Sequence, residues 1–221
     1  MEINTIITGA TGMVGKAVLL ECLDNPLVKS ILVINRKSIG LKHPKLKELI
    51  HADFFDLSPI QHELEGYNAC FFCLGVSAIG LNEAQYHKLT YDLTVHFAET
   101  VAKENAEMTF NYVSGAGTDS SEKGKTMWAR VKGKTENKVA SIFKNTYLFR
   151  PGVILPEKGV KSNVGWYNTA YVVFRPFFPL LKKMDSITTS SRLGEAMINS
   201  VLHGYAKKHL ENTHINILAK N

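Results

Sequence analysis

The chain has 221 residues, enough for one α/β domain with a full hydrophobic core. Its 45% hydrophobic and 21% charged residues are ordinary for a globular protein, and no run approaches the roughly 18 apolar residues of a membrane-spanning helix. The net charge of +6 is sufficient to attract an anion, but the lysines are scattered, with no dense run or interleaved aromatic platform that would indicate nucleic acid.

Short apolar runs and helical periodicities alternate along the chain. The predicted strands are Ile3–Ile7, Ser30–Ile34, Glu48–Ala52, Ala69–Leu74, Thr109–Val113, Thr146–Phe149 and Ile215–Leu218. The predicted helices are Met13–Leu23, Leu57–His62, Glu83–Glu104, Glu122–Phe143, part of Trp166–Lys182, and Leu193–His203. Such βα repetition indicates a parallel sheet with helices on both faces.

Right-handed crossovers favour a Rossmann-like, doubly wound α/β fold with strand order 3-2-1-4-5-6 and room for a seventh strand. There are no repeats, low-complexity tracts or long polar linkers. We therefore expect one domain over residues 1–221, with 151–183 as an irregular insertion near the carboxyl edge of the sheet.

The first strand leads directly into the segment Thr8–Gly15, which reads TGATGMVG. Gly9 would allow a tight turn, Gly12 would let the backbone approach a pyrophosphate, and Gly15 would let the following helix pack closely on the strand. The free amides at the start of that helix would then face the anion. The pattern predicts a dinucleotide site, although a helix start with incidental glycines would look similar.

The second strand ends in Ile34-Asn35-Arg36-Lys37. A site selective for NAD places an acid here to accept from the ribose 2′-hydroxyl, whereas a site for NADP carries a cation for the 2′-phosphate. Arg36 and Lys37 are two cations with no acid beside them, which favours NADP(H) over NAD(H). The alternative is a solvated basic loop.

Two further strand ends carry candidate cofactor contacts. Asp53 could accept from an adenine amino group with Phe54 beside the ring, or it could simply cap a turn. At the end of the fourth strand, Gly75 of Cys73-Leu74-Gly75 would permit a close approach of the cofactor.

The three cysteines, Cys22, Cys70 and Cys73, are too few for a disulfide framework and are typical of a reducing compartment. Cys70 and Cys73 have the spacing of a redox motif, but in a strand residues three apart point to opposite faces, so we interpret them as structural. The N-terminus lacks the pattern of a signal peptide. We therefore predict a cytoplasmic protein.

The eight histidines show no metal-ligand spacing, so no metal site is predicted.

The order of these motifs resembles the short-chain dehydrogenase/reductase superfamily and, more narrowly, its atypical group that includes the Tat-interacting oxidoreductase-like proteins. The motifs that carry the resemblance are Thr8–Gly15, Arg36-Lys37, Asp53-Phe54, Cys73-Leu74-Gly75, Val113-Ser114, Val131-Lys132-Gly133 and Arg150-Pro151-Gly152. The contacts expected for the cofactor are Gly9, Thr11, Gly12, Met13, Val14, Gly15, Arg36, Lys37, Asp53, Phe54, Cys73, Leu74, Gly75, Lys132, Pro151, Gly152 and Val153.

By this resemblance, active members use a tyrosine as proton donor, a lysine four residues later that lowers the pKa of the tyrosine and holds the nicotinamide ribose, and a serine that orients the substrate. The lysine matches Lys132 and the serine matches Ser114, but the tyrosine position is Trp128. An indole N–H cannot transfer a proton at neutral pH. The polar loop 115–126 could supply a replacement acid or simply be mobile.

The segment Pro151–Val153 is expected to run past the nicotinamide, by the same resemblance. The aromatic stretch Trp166–Lys182 could form a wall of a substrate pocket, a subunit interface or a patch for a membrane surface; Pro176 and Pro179 interrupt a regular helix and weaken the last of these. The sequence thus predicts an NAD(P)-dependent oxidoreductase for a small or apolar carbonyl-type substrate. The alternative is a non-catalytic NADPH sensor that regulates a protein partner. A homodimer is left open.

Overall fold

The computed structural model describes residues 1–160, 178–182 and 184–221. Its strands are β1 (Ile3–Thr8), β2 (Val28–Asn35), β3 (Leu46–Ile50), β4 (Ala69–Phe72), β5 (Thr109–Val113), β6 (Thr146–Arg150), β7 (Val153–Leu155), β8 (Ile187–Thr189) and β9 (His209–Glu211). Seven of them form one parallel sheet in the order β3-β2-β1-β4-β5-β6-β9. The predicted order of the first six is confirmed, and β9 is the seventh strand beside β6.

Helices cover both faces of this sheet, as predicted. They are α1 (Met13–Asp24), a 3₁₀ helix (Ser58–Leu64), α2 (Glu83–His87), a π-helical turn (Lys88–Asp92), α3 (Leu93–Glu104), α4 (Met127–Ile142), α5 (Phe178–Leu181), α6 (Ser190–Leu202) and α7 (Asn212–Leu218). Helices α1, α6 and α7 share one hydrophobic core, and the 3₁₀ helix, α3 and α4 share the other. Because side chains alternate along a strand, Ile7 belongs to the first core and Ile6 to the second.

The strand predicted at Ile215–Leu218 is wrong, because these residues lie in helix α7. Ile215 and Leu218 are three apart, so one helical face buries both of them. Asn216 between them donates through its side chain to the Ile187 carbonyl oxygen at 2.8 Å. A four-residue apolar run does not distinguish a strand from one buried helical turn, and only the packing against β8 decided it.

Other boundaries shift by smaller amounts. The third strand begins and ends two residues earlier than predicted, and α4 begins at Met127 rather than Glu122. The helix predicted over Glu83–Glu104 is divided by the π-helical turn. Apart from the π-helical turn, which interrupts a helix internally, these are terminal displacements of elements whose type is as predicted.

The insertion 151–183 is not wholly irregular, because β7 within it pairs in parallel with β8 as a separate two-stranded sheet. Most of the aromatic stretch Trp166–Lys182 lies outside the described residues, since the description omits 161–177 and 183. Within the described ranges, no helix is long and apolar enough to cross a membrane.

Candidate cofactor site

The glycine turn between β1 and α1 is built by close backbone contacts. Gly9 has φ +71°, and a Cβ there would lie 2.7 Å from the Cys73 carbonyl oxygen. A Cβ on Gly15 would lie 2.3 Å from the Gly9 carbonyl oxygen, which no side chain can tolerate. Gly12 differs, since a Cβ there would meet only the Gly9 oxygen, at 3.3 Å. The fold itself therefore requires Gly9 and Gly15, whereas Gly12 keeps space open above the turn.

The start of α1 is open toward that space. Gly12 occupies the N-cap in an extended conformation, and no side chain within the described ranges caps the helix there. The first turn also carries no acidic residue. The main-chain amides of Met13 and Val14 therefore remain available to an anion at the positive end of the helix dipole.

A cleft of about 400 Å³ opens beside the glycine turn at the carboxyl ends of β1, β2 and β4. It is lined by Gly9, Thr11, Ile34, Asn35, Arg36, Lys37, Phe54 and Leu74. This is the edge of a doubly wound sheet where the strand order reverses, which is where such folds bind ligands. The structure thus brings five of the predicted first-turn, cation and strand-end contacts into one cleft, together with the aromatic Phe54.

Asn35 is a cleft residue that we did not single out from the sequence. It is 3% exposed, and its side-chain Nδ2 has no hydrogen-bond partner among the described residues. An unpaired buried amide costs free energy of about 1–3 kcal/mol unless a ligand or water satisfies it. Together with the exposed cations Arg36 and Lys37, Asn35 gives the end of β2 three donors and no acceptor carboxylate.

The two candidate residues in the loop that follows β3, Asp53 and Phe54, have different surroundings. Asp53 is exposed, and its Oδ1 accepts from the Phe55 main-chain amide at 2.8 Å, so the aspartate does cap a turn. Phe54 is 4% exposed and stacks on Phe97, with ring centroids 6.1 Å apart. Phe54 therefore offers an edge of the core to the cleft, and adenine recognition by Asp53 stays a prediction.

The segment after β4 lies against the glycine turn. The Leu74 amide donates to the Thr8 hydroxyl at 3.3 Å, and the Cys73 carbonyl touches the turn at Gly9. A Cβ on Gly75 would have nothing within 4 Å, so the backbone is open to a ligand at this point. All three cysteines are free; Cys70 lies in one core and Cys73 packs against the other, as the strand interpretation predicts.

Lys132 lies on α4, and its ammonium reaches the carboxyl end of β5, where Ser114 follows the strand. Its ammonium donates to the Ser114 carbonyl oxygen, and burial lowers the pKa of Lys132 to about 8, while the charge of Glu136 acts in the opposite direction. The Lys132 Nζ and the Pro151 carbonyl oxygen would each lie 3.9 Å from a Cβ on Gly115. Helix α4, β5 and β6 thus meet at this ammonium.

The other two catalytic candidates, Trp128 and Ser114, contact different parts of the molecule. The Trp128 ring covers Gly117, with its Cη2 atom 3.4 Å from where a Cβ would stand. Ser114 is 3% exposed, and its hydroxyl donates to the Glu136 carboxylate at 2.5 Å. A substrate can reach that hydroxyl only after the side chain rotates away from Glu136, so the substrate-orienting role of Ser114 stays a prediction.

Glu136 is the second residue missed at the sequence level. It is fully buried and receives hydrogen bonds from Ser114 and from the Arg150 guanidinium, whose Nε lies 2.9 Å from Oε1. Trp128, Lys132 and Glu136 are spaced by four along α4 and so share one helical face. An ionisable residue on the buried face of an amphipathic helix is the signal that could have found it.

Both carboxylates of the loop 115–126 are hydrogen-bonded, and Glu122 Oε1 accepts from Asn137 Nδ2 at 2.8 Å. The Asp119 carboxylate accepts from the Ser121 hydroxyl at 2.6 Å and from the Gly124 amide at 2.7 Å. These hydrogen bonds lower the Asp119 pKa, so the carboxylate is ionised at neutral pH. The same loop explains the glycine after Lys132, because a Cβ on Gly133 would lie 1.8 Å from the Asp119 carbonyl oxygen.

The side chain of Asn212, from α7, holds the segment 151–153. Asn212, which is 5% exposed, accepts from the Gly152 amide at 3.1 Å and donates to the Val153 and Ser186 carbonyl oxygens at 3.1 and 2.6 Å. Val153 itself is 54% exposed. The tether fixes the main chain beside Lys132 and leaves the Val153 side chain outward, but contact of residues 151–153 with a nicotinamide stays a prediction.

Residues 5–137 match the NAD dependent epimerase/dehydratase family. This is more than half of the chain, and the chain belongs to that family. The match confirms the resemblance to the short-chain dehydrogenase/reductase superfamily, and it supports an NAD(P)-binding, oxidoreductase-like protein.

Relatives with similar sequences include Protein HTATIP2 of Rattus norvegicus, 28% identical over 158 residues. That alignment covers 70% of this chain and 64% of the rat protein, so it spans less than two thirds of the relative. Another is Protein FMP52, mitochondrial, of Candida albicans, 26% identical over 73% of this chain and 72% of the fungal protein.

Solved structures share the fold at lower identity. The Bordetella bronchiseptica enzyme WbmF in complex with NAD+ superposes with a TM-score of 0.68 at 14% identity, covering 99% of this chain and 77% of that one. The gox2253 structure gives a TM-score of 0.69 at 13% identity, covering 94% and 69%. These likenesses establish the Rossmann-like fold.

Proposed function

We propose that the chain binds NADP(H) in preference to NAD(H) in the cleft beside the glycine turn. The observation that carries this proposal is the end of β2, where the cations Arg36 and Lys37 and the unpaired Asn35 amide line the cleft and no carboxylate does. A 2′-phosphate would satisfy these donors, whereas a bare 2′-hydroxyl would leave the cations unpaired. The open amides of α1 and the space above Gly12 suit the pyrophosphate.

We further propose that the protein is an oxidoreductase for a small or apolar carbonyl-type substrate. When bound, the nicotinamide supplies the hydride. Lys132 would hold the nicotinamide ribose and, with a pKa of about 8, would be mostly protonated at neutral pH and able to stabilise developing negative charge. The exposed Val153 offers an apolar contact for the substrate.

A second candidate, a non-catalytic NADPH sensor for a protein partner, is favoured by the side chains around Lys132. Trp128 has no transferable proton, the Ser114 hydroxyl is bound to Glu136, and the Asp119 carboxylate is ionised and bound within its loop. The position of the usual proton donor therefore holds no acid in the described part of the chain. A sensor needs only the cleft.

The cofactor preference is tested by calorimetry with NADPH and NADH at moderate salt. Charge-assisted hydrogen bonds to phosphate contribute roughly 1.5–3 kcal/mol, so we expect NADPH to bind about tenfold or more tightly. Arg36→Ala should weaken NADPH far more than NADH. Lys29→Ala, at the opposite end of the same strand, is the matched control and should change neither. Equal dissociation constants for the two cofactors in the unaltered protein would refute the preference.

The two candidate functions are separated by measuring NADPH consumption against a broad carbonyl panel beside direct binding. Turnover of any member supports the oxidoreductase, and binding without turnover supports the sensor.

The cytoplasmic location also stays a prediction, which imaging of the tagged full chain would test.

A further inference from the structure

We infer that Glu136 is a positioning residue for Lys132: its buried ion pair with Arg150 fixes the Ser114 segment, whose carbonyl oxygen holds the Lys132 ammonium at the carboxyl end of β5. This inference rests on the proposed NADP(H) site and goes beyond it, because it assigns the orientation of Lys132 to residues that do not line the cleft.

The ion pair itself is enclosed and doubly bonded. The Glu136 side chain is 0% exposed and the Arg150 side chain 13% exposed. Arg150 donates from Nε to Oε1 at 2.9 Å and from Nη2 to Oε2, so the guanidinium grips both carboxylate oxygens. A paired fork of this kind fixes direction as well as distance.

Ser114 connects the pair to Lys132. Its hydroxyl donates to Glu136 Oε1 at 2.5 Å, and its main-chain amide donates to the Phe149 carbonyl oxygen at 2.9 Å. Its own carbonyl oxygen accepts from the Lys132 ammonium. Ser114 therefore connects α4, β5 and β6, and its carbonyl oxygen sets the direction of the Lys132 side chain.

Glu136 also acts on Lys132 through its charge. Lys132 and Glu136 are four apart on α4, and the negative charge favours the protonated ammonium against the effect of burial. The other titratable groups that face Glu136 in the described part of the chain are Arg150 from β6, the Tyr112 hydroxyl from β5 and His209 from β9, whose Nε2 lies 3.6 Å from Oε2. The Ser120 hydroxyl also donates to Oε2, at 3.4 Å. Glu211 faces Arg150 at 3.8 Å.

Glu136→Gln tests the inference in the full chain, since glutamine keeps the shape and an acceptor for Ser114 but removes the charge. We expect NADPH binding to weaken several-fold at neutral pH. In the unaltered protein, affinity should fall as pH rises through about 8, and in the variant the fall should begin at lower pH. A purely structural role for Glu136 would weaken binding equally at every pH.

Side-chain NMR of the ligand-free protein gives a readout that does not need the cofactor. The Lys132 signal, assigned by its loss in Lys132→Met, should titrate at a lower pH in Glu136→Gln. If this shift occurs but NADPH does not bind, the proposed function is wrong and the coupling of Glu136 to Lys132 stands. An unmoved Lys132 titration in a folded Glu136→Gln variant overturns the inference.

The matched control is Glu99→Gln. Glu99 lies on α3, and its carboxylate pairs at 3.0 Å with Lys138, which lies on α4 as Glu136 does. This variant should leave both the affinity and the Lys132 titration unchanged. If Glu136→Gln does not fold, Ser114→Ala provides the second test, because it keeps the ion pair and removes only the link. Several-fold weaker NADPH binding by Ser114→Ala is expected, and unchanged binding overturns the inference.

Discussion

At the scale of single residues, the site is defined by groups that lack ordinary partners. The Asn35 Nδ2 has no hydrogen-bond partner among the described residues, and the Lys132 ammonium is partly buried with the Ser114 carbonyl oxygen as its acceptor there and the charge of Glu136 favouring its protonated form. Both are costs to folding that a bound anion or ribose would offset. By contrast, Ser114, Asp119 and Glu136 are fully engaged with one another or with the main chain.

Lys132→Ala should weaken NADPH binding by about tenfold or more at pH 7, because a charge-assisted hydrogen bond worth roughly 1.5–3 kcal/mol is lost. The pKa of Lys132 is lowered to about 8, so the ammonium is present below that pH and absent above it. The deficit of the variant should therefore shrink as calorimetry moves well above pH 8. Lys134→Ala, an exposed neighbour on α4, should bind normally.

Trp128→Tyr should give weak carbonyl-reductase activity if the pocket admits the test substrate. Positions 128 and 132 are i and i+4 on α4, about 5–6 Å apart at Cβ, so the new phenol would lie beside an ammonium that lowers its pKa. Trp128→Phe is the control and should remain inactive. A cofactor complex with Trp128 directed away from the nicotinamide, or with Lys132 in solvent, would withdraw the catalytic assignment.

At the scale of secondary-structure elements, the β1–α1 unit separates two kinds of glycine. Gly15 allows α1 to lie against the Gly9 carbonyl, whereas Gly12 leaves space that nothing in the described chain fills. Gly133 in the β5–α4 unit has the same role as Gly15, because its missing side chain lets the loop 115–126 cross α4 in close contact. Close backbone approach thus shapes both halves of the proposed site.

Gly12→Val should fold and fail to bind NADPH. Its Cβ would lie 3.3 Å from the Gly9 oxygen, a tight contact that a shift of a few tenths of an ångström relieves, but it would project into the proposed pyrophosphate space. Gly15→Val should lose the fold, because its Cβ would stand 2.3 Å from the same oxygen. Thermal melting and calorimetry on the two variants would show the difference. Normal NADPH binding by folded Gly12→Val would move the phosphate site elsewhere.

At the scale of the whole molecule, the sheet separates two cores and so keeps the thiols of Cys70 and Cys73 apart. Cys70 is completely buried in one core, where burial raises the pKa of its thiol, and Cys73 packs against the other. A thiol that stays protonated is neither a nucleophile nor a redox partner.

That residues 1–221 form one domain stays a prediction, for which a single cooperative unfolding transition is the expected result.

Freshly purified protein should show three reduced thiols by mass analysis under non-reducing conditions. The opposite placement of Cys70 and Cys73 across β4 gives the physical reason. Alkylation before and after reduction should give the same mass. Detection of a Cys70–Cys73 bridge would contradict the structural interpretation of these cysteines.

The sequence by itself determined the fold class, the order of the first six strands, and the location of the glycine turn between β1 and α1. It could do so because these properties depend on local pattern: apolar runs, helical period and glycines placed directly after a strand. Arg36 and Lys37 were predicted in the same way, since the end of β2 is fixed by its own apolar run.

Only the tertiary structure decided the rest. Whether Ile215–Leu218 is a strand or a helix depended on packing against β8, and the unpaired state of Asn35 depended on which groups surround it. Glu136 reads as one more charge on a polar helix until β5 and β6 bring Ser114 and Arg150 to it. Such partners are distant in sequence, and long-range packing alone brings them into contact.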